Sequence, residues 1–141
     1  VVAHAVANGW GGIENLSLIP GEAGAAAIQN IGAYGAEIKD VIESVETYNQ
    51  LTFEKRIFTN EECQYGYRSS YFKNEHNDPH IVTYIIIRLD KRPSFSINYG
   101  NLKEELAKCP EVTLEAIRRA VIAVRRSCPI RTSWEMPAVS L

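Results

Sequence analysis

The chain has 141 residues, of which 45% are hydrophobic and 23% charged, and its formal net charge is −2 at pH 7. These values are ordinary for one globular domain, and the near-neutral charge excludes a surface dominated by attraction to nucleic acid or to acidic membranes. The three cysteines are widely spaced and form no C-x-x-C pair, which disfavours a zinc site or a disulfide framework and favours the reducing cytoplasm. No apolar run reaches the roughly 18 residues that a membrane-spanning helix requires.

The first residues predict the end of a helix. Val2, Ala5 and Val6 share one helical face, and the pair Asn8-Gly9 supplies a stop signal. The segment has neither a basic region nor an initiating Met, so it is not read as a signal peptide. We therefore expect the amino-terminal part of this domain to be missing.

Residues 9–36 are rich in glycine and alanine and contain seven of the nine glycines. Glycine permits positive φ and lets a flat ligand or another backbone approach closely. The alternative is a set of tight turns around a helix of small residues, and the composition alone does not choose between the two.

Four segments with alternating or β-branched character predict strands, at 41–48, 52–58, 81–89 and 94–99. Two helices are predicted after them, a short one at 101–108 and a longer one that Thr113 caps and that runs to about residue 126. The apolar stripe of the longer helix is formed by Leu114, Ile117, Val121 and Val124. Four arginines lie off this stripe and are interpreted as a solvated face: Arg118, Arg119, Arg125 and Arg126. This order of elements predicts an α+β fold, a mostly antiparallel sheet with flanking helices.

The residues alone indicate little chemistry. His76 and His80 have the spacing of a zinc-binding helix, but Pro79 makes their segment a turn, so we expect no metal site. No nucleophile stands beside a base, and no glycine-rich run matches a phosphate loop. Residues 66–73, G-Y-R-S-S-Y-F-K, are more suggestive, because an arginine fork suits a carboxylate or a diphosphate. A structural salt bridge is the alternative interpretation of this arginine.

Three ordered blocks together resemble one family, UDP-N-acetylenolpyruvoylglucosamine reductase, also called UDP-N-acetylmuramate dehydrogenase. They are G-I-E-N-L-S-L-I-P-G running on to I-Q-N-I-G-A-Y-G-A-E (12–37), E-E-C-Q-Y-G-Y-R-S-S-Y-F-K (61–73) and N-Y-G-N-L (98–102). The last block resembles the form of the enzyme with an extra tyrosine loop. The resemblance implies a bacterial peptidoglycan enzyme with a two-lobed α+β domain that binds FAD. It also implies that NADPH is the reductant and that the substrate is UDP-N-acetylglucosamine enolpyruvate.

The resemblance also assigns expected roles to residues. Arg68 matches the family's catalytic arginine, which stabilises the negative charge that hydride addition pushes into the substrate carboxylate. Tyr67, Tyr34 and Tyr99 are the expected substrate contacts, and Tyr99 matches the loop tyrosine. The expected FAD contacts are Ile19, Pro20, Gly21, Ala25, Ala26, Ile28, Ile31 and Gly32. The family often has Ser where Ala25 and Ala26 stand, so only backbone N–H groups there are expected to serve phosphate.

The resemblance ends near residue 127. It implies that residues 1–127 are the C-terminal part of the FAD-binding domain and that the substrate-binding domain is missing, together with the serine that protonates the substrate in G-N-A-G-S-F-F. Back-translated with chosen codons and read one base out of frame, residues 127–141 give K-L-P-D-P-N-E-L-G-N-A-G-S-F. We therefore predict a frame slip near residues 125–127 and an aberrant tail at 128–141.

Two other functions stay open at this point. The chain can be a catalytically inactive fragment, since loss of a general acid alone costs about 10²–10⁴-fold in rate. It can also be a binding module for a nucleotide or an acidic sugar that uses Arg68 and Lys73. The sequence does not indicate how many subunits the protein has.

Overall fold

The computed structural model describes residues 1–74 and 77–127, and it confirms the predicted α+β class. The four helices are α1 (Val2–Ala7), α2 (Ala23–Ile28), α3 (Gly100–Leu106) and α4 (Leu114–Ser127). The five strands are β1 (Gly32–Ala33), β2 (Ala36–Glu37), β3 (Ile42–Asn49), β4 (Lys55–Thr59) and β5 (His80–Ile87). Short 3-10 helices lie at Glu14–Leu16, Ile38–Asp40 and Tyr71–Lys73. Within the described ranges, every helix is too short or too polar to cross a bilayer.

The main sheet has the order β4-β3-β5 and is antiparallel throughout. Its centre is Val45, which is fully buried and lies opposite Phe58 on one side and Ile85 on the other. The predicted strands at 41–48 and 81–89 are confirmed within two residues at each end. The strand predicted at 52–58 begins only at Lys55, because Phe53 has a φ of +59° and occupies the turn that leaves β3.

The strand predicted at 94–99 is wrong. These residues pair with no strand in the described chain, although their burial does alternate. Phe95 and Ile97 pack against the α3–α4 cluster, while the carbonyl of Ser96 accepts a hydrogen bond of 2.8 Å from Nδ2 of Asn15. The Asn15 side chain therefore bonds to a backbone carbonyl that would otherwise be available to a neighbouring strand.

The predicted helical signals are confirmed at both ends of the chain. α1 ends at Asn8, and Gly9 follows with a φ of +72°. At α4, Oγ1 of Thr113 accepts the N–H of Ala116 at 3.1 Å, as expected of a cap. α4 packs on α3 through a second core cluster, separate from the one beneath the sheet.

The arginines of α4 do not form a single solvated face. Arg119 and Arg126 are exposed, but Arg118 and Arg125 are half-buried. The last two are seven residues apart and follow the apolar stripe along its edge. The interpretation of all four as a solvated face is therefore wrong for these two.

An aromatic cluster closes the sheet on its buried side. The ring of Phe58 is fully buried and lies 4.9 Å from that of Tyr71, 5.0 Å from that of Phe72 and 5.0 Å from that of His80. Burial lowers the pKa of His80, and its Nδ1 lies 2.9 Å from Oγ1 of Thr47. The half-buried His80 thus packs against the core residue Phe58. The described residues hold no group of three side chains that could bind a metal.

Two predictions fall outside the described residues. His76, the partner in the dismissed zinc pattern, belongs to the short gap at 75–76. The aberrant tail predicted at 128–141 also lies beyond the described ranges. The frame slip stays a prediction that the nucleotide sequence of the gene tests.

A small acidic cap follows β2. The N–H of Glu37 donates to Oδ2 of Asp40 at 3.0 Å, and the Glu37 side chain in turn accepts the backbone N–H of Asp40. Its Oε2 lies 2.6 Å from Nζ of Lys39. The Lys39 ammonium, helped by a hydrogen bond from Asn30, holds the pKa of Glu37 below its ordinary value although partial burial acts in the opposite direction.

We expect Phe58→Ala to lower the free energy of unfolding by about 3–5 kcal/mol, because it empties the centre of the aromatic cluster. Phe53→Ala is the matched control, since the Phe53 side chain is 80% exposed. We expect this control to change stability by less than about 0.5 kcal/mol. Urea unfolding followed by circular dichroism measures both, and equal losses would contradict the assigned core.

We expect Glu37→Gln to destabilise the chain by up to about 1 kcal/mol at pH 7, because it removes the ionised partner of Lys39. A carboxylate whose folded pKa is lowered stabilises the fold above its unfolded pKa, and this contribution disappears as pH falls through the folded pKa. Unfolding of the wild type and of Glu37→Gln should therefore converge in the acidic range below the ordinary glutamate pKa. Glu104→Gln, an exposed change on α3, should show no such convergence. A gap between wild type and Glu37→Gln that is independent of pH would refute the assignment.

Candidate functional site

One cavity gathers most of the residues that the sequence assigned to a cofactor. It has a volume of about 320 Å³ and lies between the loop before α2, α2 itself, β5 and α4. Six of the eight expected contacts line it: Ile19, Pro20, Gly21, Ala25, Ala26 and Ile31. We call it the α2 cavity. Its volume lies at the lower end of the range of about 300–1,000 Å³ that is usual for ligand sites.

The walls of the α2 cavity suit a flat apolar ligand. Ile19, Ile31 and Ile85 supply branched apolar side chains, and Ala25 and Gly21 are small residues of the same lining. Gly21 has a φ of +118°, and a Cβ built there meets no atom within 4 Å, so the backbone faces open space. The small residues therefore form a shallow apolar wall that is open to solvent.

The other two expected contacts, Ile28 and Gly32, do not line the α2 cavity. Ile28 is half-buried at the end of α2, and its carbonyl accepts a hydrogen bond from Oγ of Ser70. A Cβ at Gly32 would lie 2.9 Å from the carbonyl oxygen of Ala36 and 3.2 Å from Nη1 of Arg68. Gly32 is therefore required for close packing against the arginine.

Arg68 lies at the tip of a tight turn between Gly66 and Ser69, which exchange backbone hydrogen bonds of 3.1 and 3.3 Å. Its own φ is +53°, a conformation that costs energy for a residue with a side chain. The guanidinium returns to the chain, where Nη1 donates to the Asn30 carbonyl at 3.2 Å and Nη2 to the Gly32 carbonyl at 2.8 Å. The expected catalytic residue thus bonds directly to an expected cofactor residue.

Two neutral carbonyls leave most of the capacity of Arg68 unused. A guanidinium has five N–H donors, and among the described residues only two of them are bonded. Within residues 1–74 and 77–127, no carboxylate forms an ion pair with Arg68. The side chain is exposed, so an incoming anion can reach its free donors. The alternative of a structural salt bridge is not supported in this part of the chain.

The three expected substrate tyrosines fall into two groups. Tyr67 is 85% exposed beside Arg68, whose guanidinium carbon lies 5.5 Å from the centre of its ring. Tyr34 and Tyr99 contact each other edge to face, with ring centres 6.1 Å apart. The structure therefore brings Tyr34 and Tyr99 together, and Tyr67 stands with Arg68.

Sequence reasoning missed several polar residues around these groups. Arg118 lines the α2 cavity, and the guanidinium of Arg125 lies 5.5 Å from the ring of Tyr34. Asn15 is 2% exposed and donates to the carbonyls of Tyr34 and Ser96, while its Oδ1 has no hydrogen-bond partner in the part of the chain that the structure describes. The seven-residue spacing of Arg118 and Arg125 was a usable signal, because it places both on the edge of the apolar stripe. Nothing local marks Asn15, because its partners are distant in sequence.

The comparisons with known proteins agree on one family. No protein-family model matches the chain. The chain is 49% identical over 124 residues to UDP-N-acetylenolpyruvoylglucosamine reductase of Bacteroides fragilis. The aligned segment covers 88% of this chain and 37% of the relative. The chain is also 48% identical over 129 residues to the reductase of Flavobacterium johnsoniae, covering 89% of the chain and 38% of that protein.

A solved structure shows the same relationship. The crystal structure of UDP-N-acetylenolpyruvylglucosamine reductase from Thermus caldophilus superposes with a TM-score of 0.63 at 27% identity, covering 89% of this chain and 38% of that one. The chain thus spans little more than a third of the length of the relatives it matches, as the shares of 37% and 38% state. Over that span, the chain is similar to UDP-N-acetylenolpyruvoylglucosamine reductases in both sequence and structure.

Proposed function

We propose that the chain supplies the flavin wall and the catalytic arginine of a reductase that converts UDP-N-acetylglucosamine enolpyruvate to UDP-N-acetylmuramate. The observation that carries this proposal is the hydrogen bond of 2.8 Å between Nη2 of Arg68 and the Gly32 carbonyl. It joins the cation suited to the substrate carboxylate to the segment suited to the cofactor. The family name of the relatives supports the same substrate.

The cofactor of this proposal is FAD, with NADPH as the reductant and the cytoplasm as the compartment. When bound, FAD supplies the hydride for the double bond of the substrate. The apolar side chains of Ile19, Ile31 and Ala25 would hold its ring system and exclude water from one face. Arg118 is the cation that lines the same cavity, and it suits a phosphate or a polarised ring carbonyl.

Arg68 acts on the substrate. Hydride addition to the enolpyruvyl group leaves negative charge that spreads into its carboxylate. The free N–H donors of Arg68 can bond to those oxygens, and the two backbone carbonyls keep the guanidinium in place before the reaction starts. Donors fixed in advance stabilise developing charge without the cost of reorganisation. Tyr67 beside the arginine, and the pair Tyr34 and Tyr99, would contact the UDP-sugar.

The extent of the domain is part of the proposal. We propose that residues 1–127 are the C-terminal part of the FAD-binding domain. The matches cover 88% or 89% of the chain but only 37% or 38% of the relatives, which supports a part of a larger protein. The sequence of residues 1–127 does not contain the motif G-N-A-G-S-F-F that carries the family's proton-donating serine. Binding measurements on this chain are therefore more decisive than turnover.

We expect the purified chain to bind FAD and to show the visible absorbance of a flavin. Ala25→Leu fills part of the α2 cavity and should weaken FAD binding roughly tenfold or more, since overpacking costs about 1–3 kcal/mol. Ala25 is exposed, so its stability should hardly change, and Ala107→Leu is a matched exposed control remote from the α2 cavity. Fluorescence titration with FAD measures all three proteins. If the wild-type chain does not bind FAD, the proposed function is wrong and the chain is a catalytically inactive fragment.

We expect Arg68→Gln to weaken binding of UDP-N-acetylglucosamine enolpyruvate by about 10–100-fold, because hydrogen bonds to a charged group contribute about 1.5–3 kcal/mol. Binding of UDP-N-acetylglucosamine, which lacks the carboxylate, should stay within twofold of the wild type. Arg119→Gln, at an exposed position of α4, is the control. Calorimetric titration with both ligands measures the difference. Equal losses for the two ligands would contradict a role at the carboxylate and favour a general nucleotide-binding module.

A further inference from the structure

Asn30 is a fully buried amide that bonds to two other segments, the Arg68 turn and the segment of Glu37 and Lys39. It follows α2 with a φ of +43° and has no exposed surface. We propose that Asn30 is the positioning residue that holds the guanidinium of Arg68 ready for a carboxylate. This inference rests on the proposed function for the catalytic role of Arg68, and it adds a residue to which the resemblance gave no role.

Asn30 bonds both to the base of the Arg68 turn and to the Arg68 side chain. Its Nδ2 donates to the carbonyl of Gly66 at 2.9 Å, at the base of the turn. Its own carbonyl accepts Nη1 of Arg68 at 3.2 Å, at the tip. Because Gly66 also pairs with Ser69, the amide fixes the backbone from which Arg68 projects. One residue thus bonds to the turn and to the side chain that the turn presents.

Asn30 also restrains the nearest carboxylate. Its Nδ2 donates to Oε2 of Glu37 at 3.1 Å, and its Oδ1 accepts the N–H of Lys39 at 3.2 Å. Glu37 and Arg68 both lie against Gly32, where a Cβ would be 2.9 Å from Cγ of Glu37 and 3.2 Å from Nη1 of Arg68. A released Glu37 would therefore find the guanidinium within reach. By holding Glu37 beside Lys39, Asn30 keeps the donors of Arg68 open to an external anion.

A purely structural role would predict something different. A buried asparagine that only stabilises the fold would, on removal, lower stability and leave the conformation of Arg68 in the folded molecules unchanged. A positioning residue changes the guanidinium itself. The two roles are separated by a spectroscopic signal from the Arg68 side chain, which needs neither FAD nor substrate.

The test uses the full chain with ¹⁵N-labelled arginine, and the Arg68 side-chain signals are assigned by their loss in Arg68→Lys. We expect slowly rotating guanidinium protons in the wild type. The variant Asn30→Gly keeps the positive φ without strain. In this variant we expect either a new contact between Arg68 and Glu37 or averaged signals of the Arg68 guanidinium. We also expect the guanidinium protons to exchange with solvent at least about tenfold faster. Adding Glu37→Gln to this variant should abolish any such contact.

Asn60→Gly is the matched control. Asn60 also donates two hydrogen bonds from Nδ2, to the carbonyls of Lys39 and Ile42, each at 2.8 Å. It should lower stability without changing the Arg68 signals. If Asn30→Gly does not fold, Asn30→Asp takes its place, since it keeps the size and loses both donated bonds.

Unchanged Arg68 signals in a folded Asn30 variant would overturn the proposal. Freely rotating Arg68 protons in the wild type at low temperature would overturn it equally, whatever the variants do. The proposed function fails by a separate result, the absence of FAD binding in the wild type. The two failures are therefore distinguishable.

Discussion

Buried amide hydrogen bonds are the constraint on which the candidate site depends. The loops that carry its residues have almost no strand pairing of their own, since β1 and β2 contain two residues each. Asn15 joins the Tyr34 turn to the segment around Ser96, and Asn30 joins the end of α2 to the Arg68 turn. A buried amide must satisfy its donors, so each of these side chains imposes one arrangement on the backbones it contacts.

The hydrophobic elements play a different part. The sheet β4-β3-β5 and the α3–α4 pair each bury their own cluster. The Arg68 turn is a loop, whereas the α2 cavity is lined in part by core residues such as Ile13 and Ala26. Phe58 and Ile117, two of the largest fully buried side chains, do not line the α2 cavity. The hydrogen bonds of Asn15 and Asn30 then connect the loops to one another.

Local sequence signals predicted the elements that local forces determine. The Thr113 cap, the β-branched strand β5 and the stop after α1 depend on neighbouring residues, and all three are found as expected. The segment at 94–99 was predicted wrongly because its alternation records packing against helices, which periodicity alone does not distinguish from a strand ladder. The left-handed backbones at Tyr34 and Arg68 were not predicted either, because a tyrosine or an arginine does not mark such a conformation in a sequence.

The candidate site was predicted mainly through the family resemblance, and the structure adds its connections. Composition marked a flexible small-residue segment, but only the fold shows that Gly32 lies between Arg68 and Ala36. A side chain of any size there would displace the guanidinium, the β1–β2 hairpin or Glu37. Alanine, the smallest replacement, already carries the offending carbon, so position 32 has no conservative substitute. In evolutionary terms, the glycine could change only together with its neighbours, which makes this position a sensitive marker for relatives that retain the same arginine geometry.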